Sequence, residues 1–176
     1  MKSTILIVLM GTAVFAGTAE QAKLGELLFF DTTLSKNKTQ SCSTCHNPQN
    51  GFVDNRDNGV RGAVSLGDDG KSLGARNAPT ASYAVYSPHF GFDAKKKRFK
   101  GGQFLDGRET DLTAQAGGPP MNPIEMGMGS KAEIVNRLKI NPLYVSTFEK
   151  LYGKGVLDNA EKGYSAMSRA IAAYES

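Results

Sequence analysis

The residue types able to do chemistry are concentrated in one short segment, Cys42-Ser-Thr-Cys45-His46. The chain has 176 residues with two cysteines and two histidines, so this segment holds both thiols and one of the two imidazoles. Cys-x-x-Cys-His is the attachment motif of c-type haem. Two thiols three residues apart on a helical turn can each bond one vinyl group, and the adjacent imidazole can ligate the iron. We therefore predict one covalent haem c on Cys42 and Cys45, with His46 as the proximal iron ligand.

Three other interpretations of the cysteine pair stay open on the residues alone. A thioredoxin-like redox disulfide requires a βαβ pattern around the motif, and none is present. A zinc site would need ligands from His46 and His89, because a second cysteine pair is missing. A plain structural disulfide, with the histidine adjacent by chance, is the third.

Composition places the chain among single-domain globular proteins. Hydrophobic residues make up 40% and charged residues 22%, which excludes a disordered tail and a multi-span membrane protein. The length is too short for a TIM barrel. The net charge of +4 is mild, and no stripe of Lys and Arg interleaved with aromatic residues indicates a nucleic-acid partner.

The N-terminus has the layout of a secretory signal peptide. Lys2 precedes an almost wholly apolar run over residues 5–15, and small residues follow up to Ala19. We predict a signal peptide over residues 1–19, with cleavage after Ala16 or Ala19, and a bacterial periplasmic location. The apolar run is too short for a comfortable membrane span, so no stable span is expected after cleavage.

Helical periodicity is confined to the two ends of the chain. Helices are predicted at residues 20–30, after a capping box at Ser130 and Glu133, from Pro142 to a stop at Gly153, and from about Tyr164. Between them, residues 51–129 are rich in Gly and Pro, with short helices expected only at 79–86 and 109–116. We predict a mostly α fold with long loops, and loops of this length normally need a ligand to order them.

Several motifs resemble, in order, the bacterial di-haem cytochrome c peroxidase family, which includes the methylamine-utilisation di-haem enzyme. They are residues 23–31 (KLGELLFFD), 41–47 (SCSTCHN), 76–80 (RNAPT), 102–108 (GQFLDGR), 115–119 (QAGGP), 122–126 (NPIEM) and 169–175 (RAIAAYE). The resemblance implies a cytochrome c-like haem domain over residues 20–176. It matches the family's N-terminal domain, which carries the peroxide-reacting haem, and the second haem domain is absent from this sequence.

The resemblance also implies roles for residues far from the cysteine motif. Glu125 matches the family's distal acid–base glutamate, which moves a proton between the two peroxide oxygens. Gln115 matches a distal amide that hydrogen-bonds in the same pocket, and Phe104 would be a distal aromatic residue next to the haem.

Two departures from the family and one further match limit what the resemblance implies. Leu105 stands where the family usually has a tryptophan that relays electrons between haems, so such a relay is not expected here. Asn77 matches a residue near the family's interdomain calcium site, and half of that site would come from the second domain. The loop over residues 54–73 contains neither His nor Met, where many members supply a His that caps the iron, so an open or water-bound distal position is expected.

Other side chains could instead fill the sixth iron position. His89 lies between Pro and aromatic residues, and a lone His without a placed partner is more often a surface group. A thioether from Met121, Met126 or Met128 would raise the potential and make an electron carrier. We read Met126 as core or pocket wall, because it follows Glu125.

Three functions follow from these residues. The first is a periplasmic haem peroxidase domain that reduces hydrogen peroxide to water, with electrons from a small cytochrome c or cupredoxin or from a second haem domain. The second is a mono-haem electron-transfer cytochrome, and the third is a fragment of a di-haem peroxidase that binds haem and does little. The basic run at residues 95–98 is read as a solvated loop that could help to dock an acidic redox partner.

Overall fold

A computed structural model describes residues 18–176, and these form helices at both ends with loops and one hairpin between them. The helices are α1 (Ala19–Phe29), α2 (Cys42–Cys45), α3 (Leu112–Ala116), α4 (Lys131–Lys139), α5 (Pro142–Tyr152) and α6 (Ala160–Tyr174). The strands are β1 (Gly91–Asp93) and β2 (Arg98–Lys100), which pair antiparallel. This confirms the expected mostly α, cytochrome c-like architecture.

The first helix is set by its cap and by its contact with the last helix. Thr18 and Gln21 form a capping box, in which each side chain accepts a hydrogen bond from the other's backbone N–H. Leu24 and Leu28 are buried on the inner face. A Cβ atom on Gly25 would overlap the carbonyl of Ala170, so only glycine allows α1 and α6 to approach this closely.

Helices α4 and α5 begin and end near the predicted signals. Ser130 Oγ accepts from Glu133 N at 3.1 Å and begins α4, while Asn141 Oδ1 accepts from Leu143 N at 3.0 Å and begins α5. Gly153 ends α5 as expected. The apolar faces of α1, α4, α5 and α6 meet in one core. Its largest fully buried side chains include Leu24, Leu28, Phe29, Leu34, Ile134, Leu138, Phe148, Met167 and Ile171.

Two of the predicted helix starts are wrong because an upstream or downstream cap decides them. The last helix begins at Ala160, before Tyr164, since Asn159 Oδ1 accepts from Lys162 N at 3.0 Å. The helix predicted at 109–116 begins only at Leu112, since Asp111 Oδ1 accepts from Ala114 N at 2.9 Å.

The helix predicted at residues 79–86 is also wrong. Only a 3-10 turn over Ala84–Tyr86 is present, because Tyr83 has a left-handed φ of 66° that no α-helix accommodates. The hairpin of β1 and β2 was not predicted. It pairs Phe92 with Phe99, and its strands are only three residues long and contain no fully buried residue that would indicate a strand in the sequence.

The predicted signal peptide at residues 1–19 lies almost wholly outside the described residues. Within residues 18–176, none of the helices is long and apolar enough to cross a membrane.

Candidate functional site

The two thiols and the imidazole are brought together by the single turn of α2. Ser41 N donates to Thr44 Oγ1 at 2.9 Å, which fixes the start of the turn. His46 N donates to the carbonyl of Cys42 at 2.9 Å, which closes it. Residues three apart on such a turn share one face. Cys42 and Cys45 therefore project towards the same space, with His46 directly after them.

The orientation of His46 suits metal ligation. Its Nδ1 lies 3.2 Å from the carbonyl oxygen of Phe52, which can only accept, so Nδ1 carries the proton. Nε2 is then left with its lone pair free for a metal, in the arrangement that a backbone carbonyl on Nδ1 imposes on ligating histidines. Burial also lowers the pKa of His46, which favours the neutral ligating form.

The thiols are free in the structure and are poor nucleophiles by environment. Burial raises the pKa of Cys42, and the nearby Glu175 carboxyl raises it further. Burial also raises the pKa of Cys45, against the lowering effect of Arg56, whose Nη2 lies 3.4 Å from the sulfur. Redox-active Cys-x-x-Cys pairs show the opposite shift. These surroundings oppose the thioredoxin-like interpretation.

The zinc interpretation finds no support in the described part of the chain. Between residues 18 and 176, no three His, Cys, Asp or Glu side chains are grouped so that they could hold a metal ion. His89 is exposed and lies outside the cleft described next.

Above α2 lies an open cleft of about 390 Å³ with mostly apolar walls. Its walls come from α2, α3, the last turns of α6, and the loop segments 74–81, 103–105 and 122–126. Both thiols and the His46 ring face into it, and the buried Ser65 Oγ beside it has no hydrogen-bond partner among the described residues. A flat, apolar macrocycle attached through two thioethers and ligated by His46 fits this donor set. The residues present therefore suit a c-type haem.

Glu125 enters the same cleft and is held at both its ends. Its Oε1 accepts from Asn122 Nδ2 at 2.8 Å. Its backbone carbonyl accepts from Gln40 Nε2 at 2.7 Å and from Asp68 N at 2.8 Å. Burial raises the pKa of the carboxyl, and the positive charge of Arg108 and the Asn122 hydrogen bond oppose that rise.

Gln115 and Phe104, to which the family resemblance gives distal roles, also line the cleft. Gln115 projects from α3. Phe104 has a left-handed φ of 60°, a conformation that costs energy in a non-glycine residue and often marks a functional site. The Arg108 guanidinium lies 3.5 Å from the centre of the Phe104 ring, in cation–π geometry. Leu105 borders the cleft with 62% of its surface exposed.

All three candidate methionines pack in or against the hydrophobic core, and Met126 also lines the cleft. Met126 lines the cleft, and only 3% of its surface is exposed. Met121 and Met128 pack in or against the hydrophobic core and do not border the cleft. Asn77 borders the cleft, where its Nδ2 donates to the carbonyl of Gly62 at 3.3 Å.

Sequence reasoning missed the residues that hold the cleft in shape. Asn122 lies in the same motif as Glu125, and Arg108 lies in the same motif as Phe104. This proximity in sequence could have indicated that they belong to the site. Gln40 and Asp68 carry no local signal, because their partners lie 85 and 29 to 31 residues away. Glu175 belongs to the motif at residues 169–175, for which no role in the site was predicted, yet its side chain lines the cleft.

Comparison with known proteins decides the family. A profile described as "Di-haem cytochrome c peroxidase" matches residues 19–176. This chain belongs to the di-haem cytochrome c peroxidase family. Membership implies a haem c cofactor, in agreement with the cleft and with the cysteine motif.

Individual relatives agree with this assignment. The chain is 51% identical over 168 residues to the methylamine utilization protein MauG of Paracoccus denitrificans, covering 91% of this chain and 43% of MauG. It is 37% identical over 137 residues to the cytochrome c peroxidase Ccp of Escherichia coli, covering 78% of this chain and 25% of Ccp. The chain thus spans less than half of the length of these curated relatives.

Solved structures show the same relationship. The crystal structure of the diheme peroxidase BthA from Burkholderia thailandensis superposes with a TM-score of 0.84 at 29% identity, over 93% of this chain and 40% of BthA. A MauG-like protein associated with microbial copper homeostasis superposes with a TM-score of 0.67 over 90% of this chain.

Proposed function

We propose that this chain is a periplasmic c-type haem peroxidase domain that reduces hydrogen peroxide to water. The observation that carries the proposal is one cleft that contains the attachment cysteines, a correctly oriented His46, and both Glu125 and Gln115. The family assignment supports it, since relatives over the same region are named cytochrome c peroxidases.

A bound haem would supply the redox-active iron and the route by which electrons reach peroxide. The residues of this chain would handle the protons and the position of the substrate. Glu125, in its ionised form, accepts a proton from one peroxide oxygen and returns it to the other, so that the O–O bond breaks with water as the leaving group. Gln115 donates a hydrogen bond that holds peroxide against the carboxylate. Overall, peroxide, two electrons and two protons give two waters.

Hydrogen bonding prepares Glu125 for this proton transfer. Asn122 holds Oε1, and the two donors on the backbone carbonyl fix the loop, so the carboxyl enters the cleft in one orientation. Burial raises the pKa of the Glu125 carboxyl, so this pKa lies closer to neutral pH than that of an exposed glutamate. The carboxyl can therefore both accept and release a proton. Activity is therefore expected to fall as pH drops below that raised pKa.

The two electrons would come from outside this domain. A small cytochrome c or cupredoxin, or a second haem domain, would deliver them one at a time. The exposed Leu105 at the cleft mouth cannot serve as an aromatic relay. The basic segment 95–98 on the nearby hairpin would attract an acidic donor. Calcium stays outside the proposal, because half of the site that the family resemblance implies would come from the second domain.

The deciding experiment compares three proteins matured with haem attached. Glu125→Gln should slow the reaction with hydrogen peroxide by about 10²- to 10⁴-fold, the usual contribution of a general acid–base group. Glu26→Gln, which removes an exposed carboxylate from α1, should react as wild type does. Equal rates in all three proteins would remove Glu125 from the reaction.

A second candidate function, a mono-haem electron-transfer cytochrome, has one observation in its favour. Met126 borders the cleft and is almost wholly buried, so its thioether is available as a sixth iron ligand. Optical and EPR spectra of the ferric protein separate the two functions. A high-spin signal that changes with peroxide supports the peroxidase, whereas a low-spin signal that ignores peroxide and becomes high-spin in Met126→Ala supports the electron carrier.

A further inference from the structure

The buried carboxyl of Glu175 has no role in the peroxide chemistry described above. Glu175 directly follows α6, and its side chain turns inward to line the cofactor cleft near Cys42. The residue is only half-buried, but its Oε2 atom has no access to solvent. Oε2 also has no hydrogen-bond partner among residues 18–176. Buried carboxyl oxygens without a partner are rare, because an uncompensated charge there is costly.

Among residues 18–176, no donor at the cysteine end of the cleft bonds Oε2, and a bound haem would add none there. Cys42 would be consumed by a thioether bond to the vinyl-derived edge of the macrocycle, which is apolar and donates no hydrogen bond. The macrocycle would also exclude water from the cleft. Binding the cofactor therefore deepens the isolation of the Glu175 carboxyl and places it beside a redox centre.

The surrounding groups do not stabilise its charge either. The charge of Glu175 acts on two titratable neighbours, Cys42 on α2 and Tyr174 on α6. From α1, Glu26 acts on Tyr174 and is itself negative. Helix α3 consists of LTAQA and contains no titratable residue. Among the described residues, Arg76 and Arg108 also line the cleft, but burial alone acts on the carboxyl and raises the pKa of Glu175 to about 8.

We propose that Glu175 is a proton-exchange site linked to the haem: it takes up one proton from solvent when the iron accepts one electron, and releases that proton on oxidation. The charge balance is simple. An external one-electron donor reduces the iron, the proton neutralises the Glu175 carboxylate, and no other bond changes. Oxidised iron carries one more positive charge, so it favours the carboxylate, and reduced iron favours the neutral acid.

Linkage fixes the direction of the effect on the redox potential. Reduction of the iron changes the proton affinity of Glu175, and protonation of Glu175 must change the electron affinity of the iron by the same factor. Below the titration the carboxyl is neutral in both states, and the midpoint potential is high and flat. As pH rises through about 8, the carboxylate forms first in the oxidised protein, and the potential falls. The site would thus make the domain a weaker oxidant at alkaline pH.

The test is a potentiometric titration of the haem-loaded protein at a series of pH values, without peroxide. We expect the wild-type midpoint potential to fall across the range around pH 8, and that of Glu175→Gln to stay flat at the wild-type low-pH value. Glu26→Gln, a matched loss of one exposed carboxylate nearby, should keep the wild-type slope. Tyr174→Phe should keep it too, which separates Glu175 from its titratable neighbour.

Two results would overturn the inference: a flat wild-type potential, or a wild-type slope that survives in Glu175→Gln. If that variant does not mature, infrared difference spectra of the wild type give the same decision. Reduction near pH 8 should create a protonated carboxyl band, and its absence contradicts the proposal. The inference depends on haem binding but not on peroxide turnover. An inactive protein with a pH-dependent potential would therefore refute the proposed function alone.

Discussion

The two halves of the molecule are stabilised in different ways. The helical region, α1 together with residues 112–174, supplies nearly all of the hydrophobic core. The loop region, residues 53–111, contributes no residue to that core, and its buried side chains are the polar Asp68 and Gln103. Its large apolar side chains are exposed instead. They include Val60, Leu73, Tyr83, Tyr86, Phe90, Phe92, Phe99 and Leu105.

The difference indicates what a haem bound in the cleft would do for the fold. Burial of apolar surface is the main favourable term in folding, and the helical region has it without any ligand. The loop region has short-range hydrogen bonds, such as the Asp54–Arg56 pair, and it presents segments 74–81 and 103–105 to the cleft. A haem in that cleft would serve as the apolar centre on which these loops pack.

The largest effect should follow from preventing cofactor attachment. In the Cys42→Ala/Cys45→Ala variant, backbone amides of residues 53–111 should lose their protection from hydrogen exchange, with opening free energies approaching 0. Amides of α1 and α6 should keep most of theirs, because most of the core residues of these two helices lie away from the cleft. Hydrogen exchange with mass-spectrometric detection compares this variant with the haem-loaded wild type. Equal protection of the loops in both would show that they order themselves.

Two glycine substitutions should separate the regions next. Gly25→Ala would normally favour a helix, but here the added methyl meets the Ala170 carbonyl where α1 crosses α6. We expect a loss of about 3 kcal/mol or more, at the upper end of overpacking effects. Gly91→Ala in β1 has no atom within 4 Å of the new methyl. Its effect should stay within about 0.5 kcal/mol.

Urea denaturation of both glycine variants measures this contrast. A small effect of Gly25→Ala would mean that the two helices can separate without loss, and that the core is less tightly packed than the buried residues suggest.

The Asp68 carboxylate ties the loop region to the segment that follows α1, and its loss should have an intermediate effect. Its carboxylate accepts from Asn37 N at 2.6 Å and from Thr39 Oγ1 at 2.6 Å. Burial opposes ionisation, but these hydrogen bonds prevail and hold the pKa of Asp68 below its usual value. Asp68→Asn should cost roughly 1.5–3 kcal/mol at neutral pH, the range for hydrogen bonds to a charged group.

The pH dependence of that cost has a definite sign. Because the folded pKa lies below the unfolded one, the stabilisation is complete above about pH 4 and disappears as pH falls through the folded pKa. The difference in urea midpoint between wild type and Asp68→Asn should therefore shrink in acid. Asp69→Asn, at an exposed neighbour, should have the smaller effect throughout. A difference independent of pH would assign the loss to shape rather than charge.

The same contrast explains which features were predictable from sequence. The helical region was predicted well, because its apolar periodicity and its caps at Ser130 and Asn141 are local. The attachment motif was equally legible, since Cys42, Cys45 and His46 lie within one turn. Apart from the start of α6, the failures fall in or next to the loop region. The left-handed conformation of Tyr83 prevents the helix that was predicted at residues 79–86. No pattern in the sequence predicted the hairpin. There the conformation depends on distant partners, such as Gln40 and Asp68 on the Glu125 carbonyl, which no sequence window contains.

The smallest effect should come from the surface ion pairs of the helical region. Lys150 Nζ lies 2.7 Å from Glu20 Oε1 and would tie α5 to α1, but 66% and 61% of these side chains are exposed. Solvent screening and the entropy of two long side chains leave such pairs about 0–0.5 kcal/mol. Glu20→Gln should therefore shift the urea midpoint hardly at all, and added salt should not change that result. A loss comparable with that of Gly25→Ala would attribute the stability of the helical region to charge. The apolar core would then not be the main source of that stability. The contrast with the loop region, for which a haem would serve as the apolar centre, would no longer hold.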